Sequence, residues 1–260
     1  MNPKSSAKGT YVYCVVAADR RPRPGRTPAG LPGAGPVRLL EVEKGLFIAV
    51  ADVPLDRYGE SAINASLSKL DWVSRAAVAH EAIVESFIAA IAVLPMKLFT
   101  IFTSDDRAID HICGQRARVR ALVTRVAHHQ EWGVRVALDR TRAAAALSKK
   151  PAAGGATGAS YLAGKKAQRD ASKELASRAR ETVAGLFDRL SAASGDAKRR
   201  TASDLHAQGG PLLLDAAFLV PRARGSAFGK RVAREARTLA RQGYDLTITG
   251  PWPPYTFVQD

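Results

Sequence analysis

The sequence predicts an α+β protein in two domains, residues 1–128 and 129–260, and three observations carry that prediction. Short β-branched and aromatic runs such as TYVYCVVAA (10–18), EWGVRVAL (131–138) and LLLDAAFLVP (212–221) read as buried strands. Between such runs lie stretches with apolar residues three and four apart, the pattern of helices buried on one face. After residue 128 the elements run strand-helix-strand-strand-helix-strand, the order of a ferredoxin-like split βαβ (βαββαβ) sandwich. A chain of 260 residues has room for two such cores.

The N-terminal domain is expected to fold around a small mixed sheet. TYVYCVVAA supplies its first strand, and RRPRPGRTPAGLPGAGP (20–36) follows as a proline- and glycine-rich loop. VRLLEVEKGLFIAVADVP then reads as two strands turning at Lys44-Gly45. A short helix is expected around 59–70. From Val73 the stripe Val73, Ala77, His80, Val84, Phe87, Ile91 predicts a helix that runs until Leu94-Pro95 stops it. His80, Phe87 and Trp72 are candidate core residues. MKLFTIF (96–102) is expected to be a further strand, and Ser104 to cap a helix through about His128.

In the C-terminal domain EWGVRVAL is the first strand, and KKPAAGGATGAS (149–160) is a small-residue loop. A long helix over 161–193 carries Leu175, Ala179, Val183, Leu186 and Leu190 on one stripe, with Glu174 and Arg178 spaced to pair on its surface. DAKRRTASD (196–204) reads as a polar edge strand and LLLDAAFLVP as a buried one. AFGKRVAREARTLARQG (227–243) is a basic helix closed by Gly243, and YDLTITG is the last strand. The first and last strands of this domain are expected on opposite flanks of one antiparallel sheet. The chain then ends on GPWPPYTFV, where a strand is expected to resume at Thr256-Phe257-Val258.

Composition and motifs narrow the chemistry. Lys and Arg number 39 against 24 Asp and Glu, a net charge of +15, and residues 129–260 hold 22 basic and 12 acidic residues. That balance suits an acidic partner or a solvated surface. The five positions Lys230, Arg231, Arg234, Arg237 and Arg241 read as spread over more than one helix face, which argues against nucleic acid as a partner. No apolar run is long enough to span a bilayer, so no membrane association is expected. Two cysteines, Cys14 and Cys113, make neither a disulfide framework nor a zinc site, and a cytoplasmic location is expected. HEAIVE (80–85) has Val84 where a metalloprotease helix needs its second histidine, so His80 reads as a neutral, hydrogen-bonded core residue. GLPGAGP (30–36) and GGATG (154–158) lack the lysine-serine end of a phosphate loop. No metal, cofactor or catalytic group is expected.

Three stretches taken in order, TYVYCVV, HEAIVE with VLPMKLFTIF, and LTITGPWPPYTFV, resemble the gas vesicle protein F/L family (GvpF/GvpL), and YLAGKK and AAFLV fit it as well. Cys14 stands where that family commonly has glycine, and Lys97 where it has arginine. The resemblance implies a non-enzymatic accessory protein of gas vesicle formation, located in the cytoplasm and at the vesicle. Its implied partners are the small hydrophobic structural protein of the shell and other accessory proteins. A basic nucleic-acid-binding module acting through the C-terminal domain is the alternative. Trp252, Pro253, Pro254 and Tyr255 have two readings, closure of the fold or an aromatic contact for a partner. The sequence favours closure, because prolines lower the entropy lost when a chain end is tied down.

Overall fold

β1 (Lys8–Ala17) is buried along nine of its ten residues, so it needs strands on both sides and has them. The computed structural model describes residues 7–23, 28–147, 158–200 and 211–258. β2 (Arg38–Glu43) and β3 (Leu46–Pro54) form the expected hairpin, with Gly45 at φ +81°, a conformation that glycine adopts without strain. α1 (Leu55–Tyr58) is an additional turn, and α2 (Glu60–Ser66) after it is the short helix expected around 59–70. Gly59 is extended and separates the two.

α3 (Leu70–Ser86) ends eight residues before the expected stop at Leu94. Residues 87–91 turn, and Ala92–Pro95 becomes strand β4, pairing Val93 and Leu94 with Val16 and Val15 of β1. An apolar run of this length suits a helix or a strand equally, and the open edge of β1 decides it. The buried stripe of α3 is likewise rotated from the expected one. Ala76, His80, Ile83 and Val84 are buried, while Val73 and Ala77 are only half-buried.

Only Ile101–Phe102 of MKLFTIF is strand (β5), because the chain turns first at Phe99, whose φ is +65°. α4 (Asp105–Gly114) starts where Ser104 Oγ accepts the Arg107 N–H at 3.3 Å. The helix expected through His128 is broken at Gln115, and α5 (Arg116–Val126) follows. The sheet order is β2-β3-β1-β4, with β5 also on β1, and every pairing is antiparallel, not mixed. Both β3 and β4 oppose β1, so α1–α3 form a crossover that returns the chain to β1's other side.

β6 (His129–Leu138) opens the second sheet. It is followed by α6 (Arg140–Leu147), α7 (Gly158–Ser191), β7 (Asp196–Arg199), β8 (Leu212–Pro221), α8 (Gly225–Ala240) and β9 (Tyr244–Trp252). α6 lacks apolar periodicity. Its start is fixed by Asp139, whose carboxylate accepts the Thr141 and Arg142 N–H groups at 3.0 Å each. The α7 stripe is as expected: Ala179, Val183, Leu186 and Leu190 are buried, and Arg178 pairs with Glu174 at 2.8 Å.

The strand order is β7-β8-β6-β9. β6 is therefore interior and beside β9, not on the opposite flank. β6 buries Val134, Val136 and Leu138 on one face and Glu131 and Ala137 on the other, burial that a strand on each side provides. Even-numbered residues of β6 and β8 face α7 and α8, building a core around Phe218, Leu186, Phe228 and Val232.

After β9 the chain forms a single helical turn, α9 (Tyr255–Val258), where a strand was expected. The N–H of Tyr255 donates to the Pro253 carbonyl, and that of Phe257 to the Pro254 carbonyl. Those local bonds compete with any sheet pairing.

The chain divides into two compact units, residues 1–130 with 252–260, and residues 131–251. The last nine residues thus group with the N-terminal unit, apart from the 129–251 stretch with which the sequence associated them.

Candidate functional site

The terminal segment separates into a buried part and an exposed part. Pro253 and Pro254 are buried, Phe257 is fully buried and Val258 nearly so, and Tyr255 packs half-buried against the N-terminal core. The Arg125 guanidinium lies 5.8 Å from the centre of the Phe257 ring, and donates to the Phe257 carbonyl at 3.4 Å. Val258 helps wall a cavity of about 300 Å³ lined by apolar Leu94, Met96 and Leu122, with Lys97, His111 and Arg118 among its polar members. Trp252 is different. It ends β9 and is 40% exposed. Phe257, which the sequence reading did not single out, supplies the buried area that Trp252 does not. Its signal was available, as an apolar residue three beyond two prolines.

His80, Phe87 and Trp72 belong to the core of the N-terminal unit. His80 is buried with its Nδ1 2.7 Å from the Tyr11 hydroxyl. That hydroxyl also accepts the Phe99 N–H at 3.3 Å, so Tyr11 donates its own proton to Nδ1 and the imidazole proton sits on Nε2, a buried atom without a hydrogen bond of ordinary geometry. Burial pushes His80 down to about 4, with the Met96 backbone pulling the other way, so the ring is neutral near pH 7. Burial also raises the phenols of Tyr11 and Tyr13.

Tyr13 Oη accepts the Leu31 N–H at 3.1 Å, and Tyr58 donates to the Pro32 carbonyl at 2.8 Å. These two bonds pin the GLPGAGP loop, and a Cβ on Gly30 would lie 2.7 Å from the Tyr13 hydroxyl. Phe87 is buried, and Trp72 is half-buried, stacked on Phe99 at 5.0 Å and 19°. These groups are spent on packing and on holding one loop.

Among the described residues no three His, Cys, Asp or Glu side chains gather where they could hold a metal, and no helix is long and apolar enough to cross a membrane. His129 Nδ1 lies 2.6 Å from the Ala127 carbonyl, a local bond. Residues 154–157 of GGATG lie outside the described residues.

The basic helix corrects the sequence reading. At 100° per residue Lys230, Arg234, Arg237 and Arg241 fall within roughly 60° of one another. All four are exposed, opposite the buried Phe228, Val232 and Leu239. Arg231 stands apart and donates to the Arg189 carbonyl. Elsewhere arginines meet carboxylates. Arg189 pairs with Glu235, and Arg200 with Glu131 and Asp215.

Among the described residues five large apolar side chains stand exposed: Leu67, Leu70, Val78, Ile248 and Trp252. Leu70 and Val78 lie two turns apart on α3, and Ile248 and Trp252 both lie on β9.

A family model described as gas vesicle synthesis protein GvpL/GvpF matches residues 9–259. Gas vesicle protein L of a Streptomyces species is 34% identical over 256 residues, covering 95% of this chain and 91% of that protein. Gas vesicle protein L2 of Halobacterium salinarum is 29% identical over 277 residues, covering 97% and 92%. The crystal structure of GvpF from an Anabaena species superposes with a TM-score of 0.69 at 18% identity, covering 97% of each chain. GvpF from Microcystis aeruginosa gives 0.67 at 15% identity, covering 97% of this chain and 99% of its own. The two structures share the mixed α+β fold, and the sequence matches run almost from end to end. This chain belongs to the GvpL/GvpF family of gas vesicle synthesis proteins.

Proposed function

We propose that this chain is a non-enzymatic assembly factor that works in the cytoplasm, binding the small hydrophobic structural protein of the gas vesicle shell together with other accessory proteins. The observation that carries this reading is the family match over residues 9–259, which leaves almost nothing of the chain outside a gas vesicle protein. Physical chemistry supports it. A shell subunit that will face gas exposes apolar surface before assembly, and such surface aggregates unless covered. A strongly charged binder with a few exposed apolar side chains can cover it and stay dispersed.

In the same reading the second unit is a ferredoxin-like sandwich, supported by the order β7-β8-β6-β9 with α7 and α8 on the core face. Pro253, Pro254 and Tyr255 serve closure, and Trp252 is offered to a partner. Their contrast in burial supports that division.

The test is co-purification with the co-expressed, affinity-tagged structural shell protein. Capture of this chain is expected, and its absence beside a captured positive control overturns the reading. The exposed α8 stripe supports a second reading, binding to nucleic acid. Duplex DNA retained at physiological salt, with a steep fall as salt rises, would favour it.

A further inference from the structure

We propose that the outer edge of β9, over Leu246–Gly250, accepts an extended apolar segment of the structural shell protein as a fifth strand; this rests on the shell-binding reading above. β9 ends the order β7-β8-β6-β9 and neighbours β6 alone among the described strands. An edge strand presents a row of backbone donors and acceptors, and proteins usually blunt such edges with brevity, charge, a bulge or a cover.

The other edges here are blunted. β7 is four residues long and reads Asp-Ala-Lys-Arg. β2 carries Arg38, Glu41 and Glu43. β5 has two residues, and β4 lies against α5 and α9. Between Leu246 and Gly250 β9 carries neither a charged side chain nor a proline, and no described strand lies beyond it. Its Asp245 is already held by Arg142 at 2.6 Å, and its one proline in the strand, Pro251, falls beyond the stretch.

The side chains say what kind of strand fits. Tyr244 and Leu246 join the core on the helix-facing side, and Ile248 is the next residue on that side. It is 37% exposed, with no described strand beyond it. On the other side stand exposed Thr247 and Thr249, β-branched and uncharged. An incoming strand with an apolar residue opposite Ile248 completes the layer, the mode of strand addition. A second copy of this chain would bring another +15 against the same edge, so repulsion favours a partner that is not basic.

The experiment compares capture of wild type, Ile248→Lys, Thr247→Lys and Leu70→Lys by the co-expressed, tagged shell protein, with circular dichroism and melting of each variant as fold controls. Either β9 lysine is expected to lower capture at least tenfold with the melting curve unchanged, while Leu70→Lys on α3 captures as wild type does. Undiminished capture of folded Ile248→Lys and Thr247→Lys overturns the edge assignment and leaves shell binding standing. Failure of wild type itself to be captured removes the shell-binding reading, and the proposed occupant with it. A wild-type dimer that Ile248→Lys splits, with shell capture unaffected, assigns the edge to a second copy and also overturns the proposal.

Discussion

Trp252 and Phe257 sit five residues apart and do opposite things. Trp252→Ala removes a ring that is 40% in solvent, so urea unfolding is expected to show a loss below about 1 kcal/mol. Phe257→Ala empties a fully buried site and is expected to cost about 3–5 kcal/mol by the same measurement. The sequence pointed to the tryptophan because tryptophan carries the largest area, and burial is a property of neighbours that no single residue displays.

His80 was legible as a core histidine from its place among apolar residues, and its partner Tyr11, 69 positions away, was not. Its titration has a definite sign. Folded His80 titrates at about 4 and its ordinary value is 6.5, so between those pH values the unfolded chain binds the extra proton. Its stabilising contribution is complete above pH 6.5 and declines as pH falls to about 4. The full loss is about 3 kcal/mol. Unfolding measured across pH 4–7 is expected to show a shallower slope for His80→Gln than for wild type.

At the scale of elements, apolar period located most helices and strands, and errors collected where two periods fit the same run. Residues 87–95 extend a helical stripe on paper, yet hydrogen bonds offered by the open side of β1 hold 92–95 as strand. α6 was missed because its alanines carry no period, although Asp139 stood as the cap signal. The turn between α8 and β9 was read correctly from Gly243. It has φ +84°, and a Cβ there would fall 2.4 Å from the Ala143 backbone nitrogen. Gly243→Ala is therefore expected to cost more than about 2 kcal/mol, seen as a lowered denaturation midpoint. The glycine was visible as a helix terminator, and its close approach to α6 was not.

Across the whole molecule the charge was plain from composition, but its arrangement was not. The stripe of Lys230, Arg234, Arg237 and Arg241 needs only helical geometry, whereas the pairing of Arg200 with Glu131 and Asp215 needs β6, β8 and the residue that follows β7 brought together. Sequence alone determined the α+β class, most strand and helix positions and, through motifs spread from Tyr11 to Val258, the family. These depend on local period and on residue identity, which a chain carries without folding. Tertiary structure decided the antiparallel first sheet, the interior place of β6, the return of residues 252–260 to the N-terminal unit and the exposure of Ile248 on an edge stretch without charge or proline. Strand order and edge exposure arise from pairing between distant segments, where the entropy of closing each loop is weighed against apolar surface that only the assembled sheet can bury.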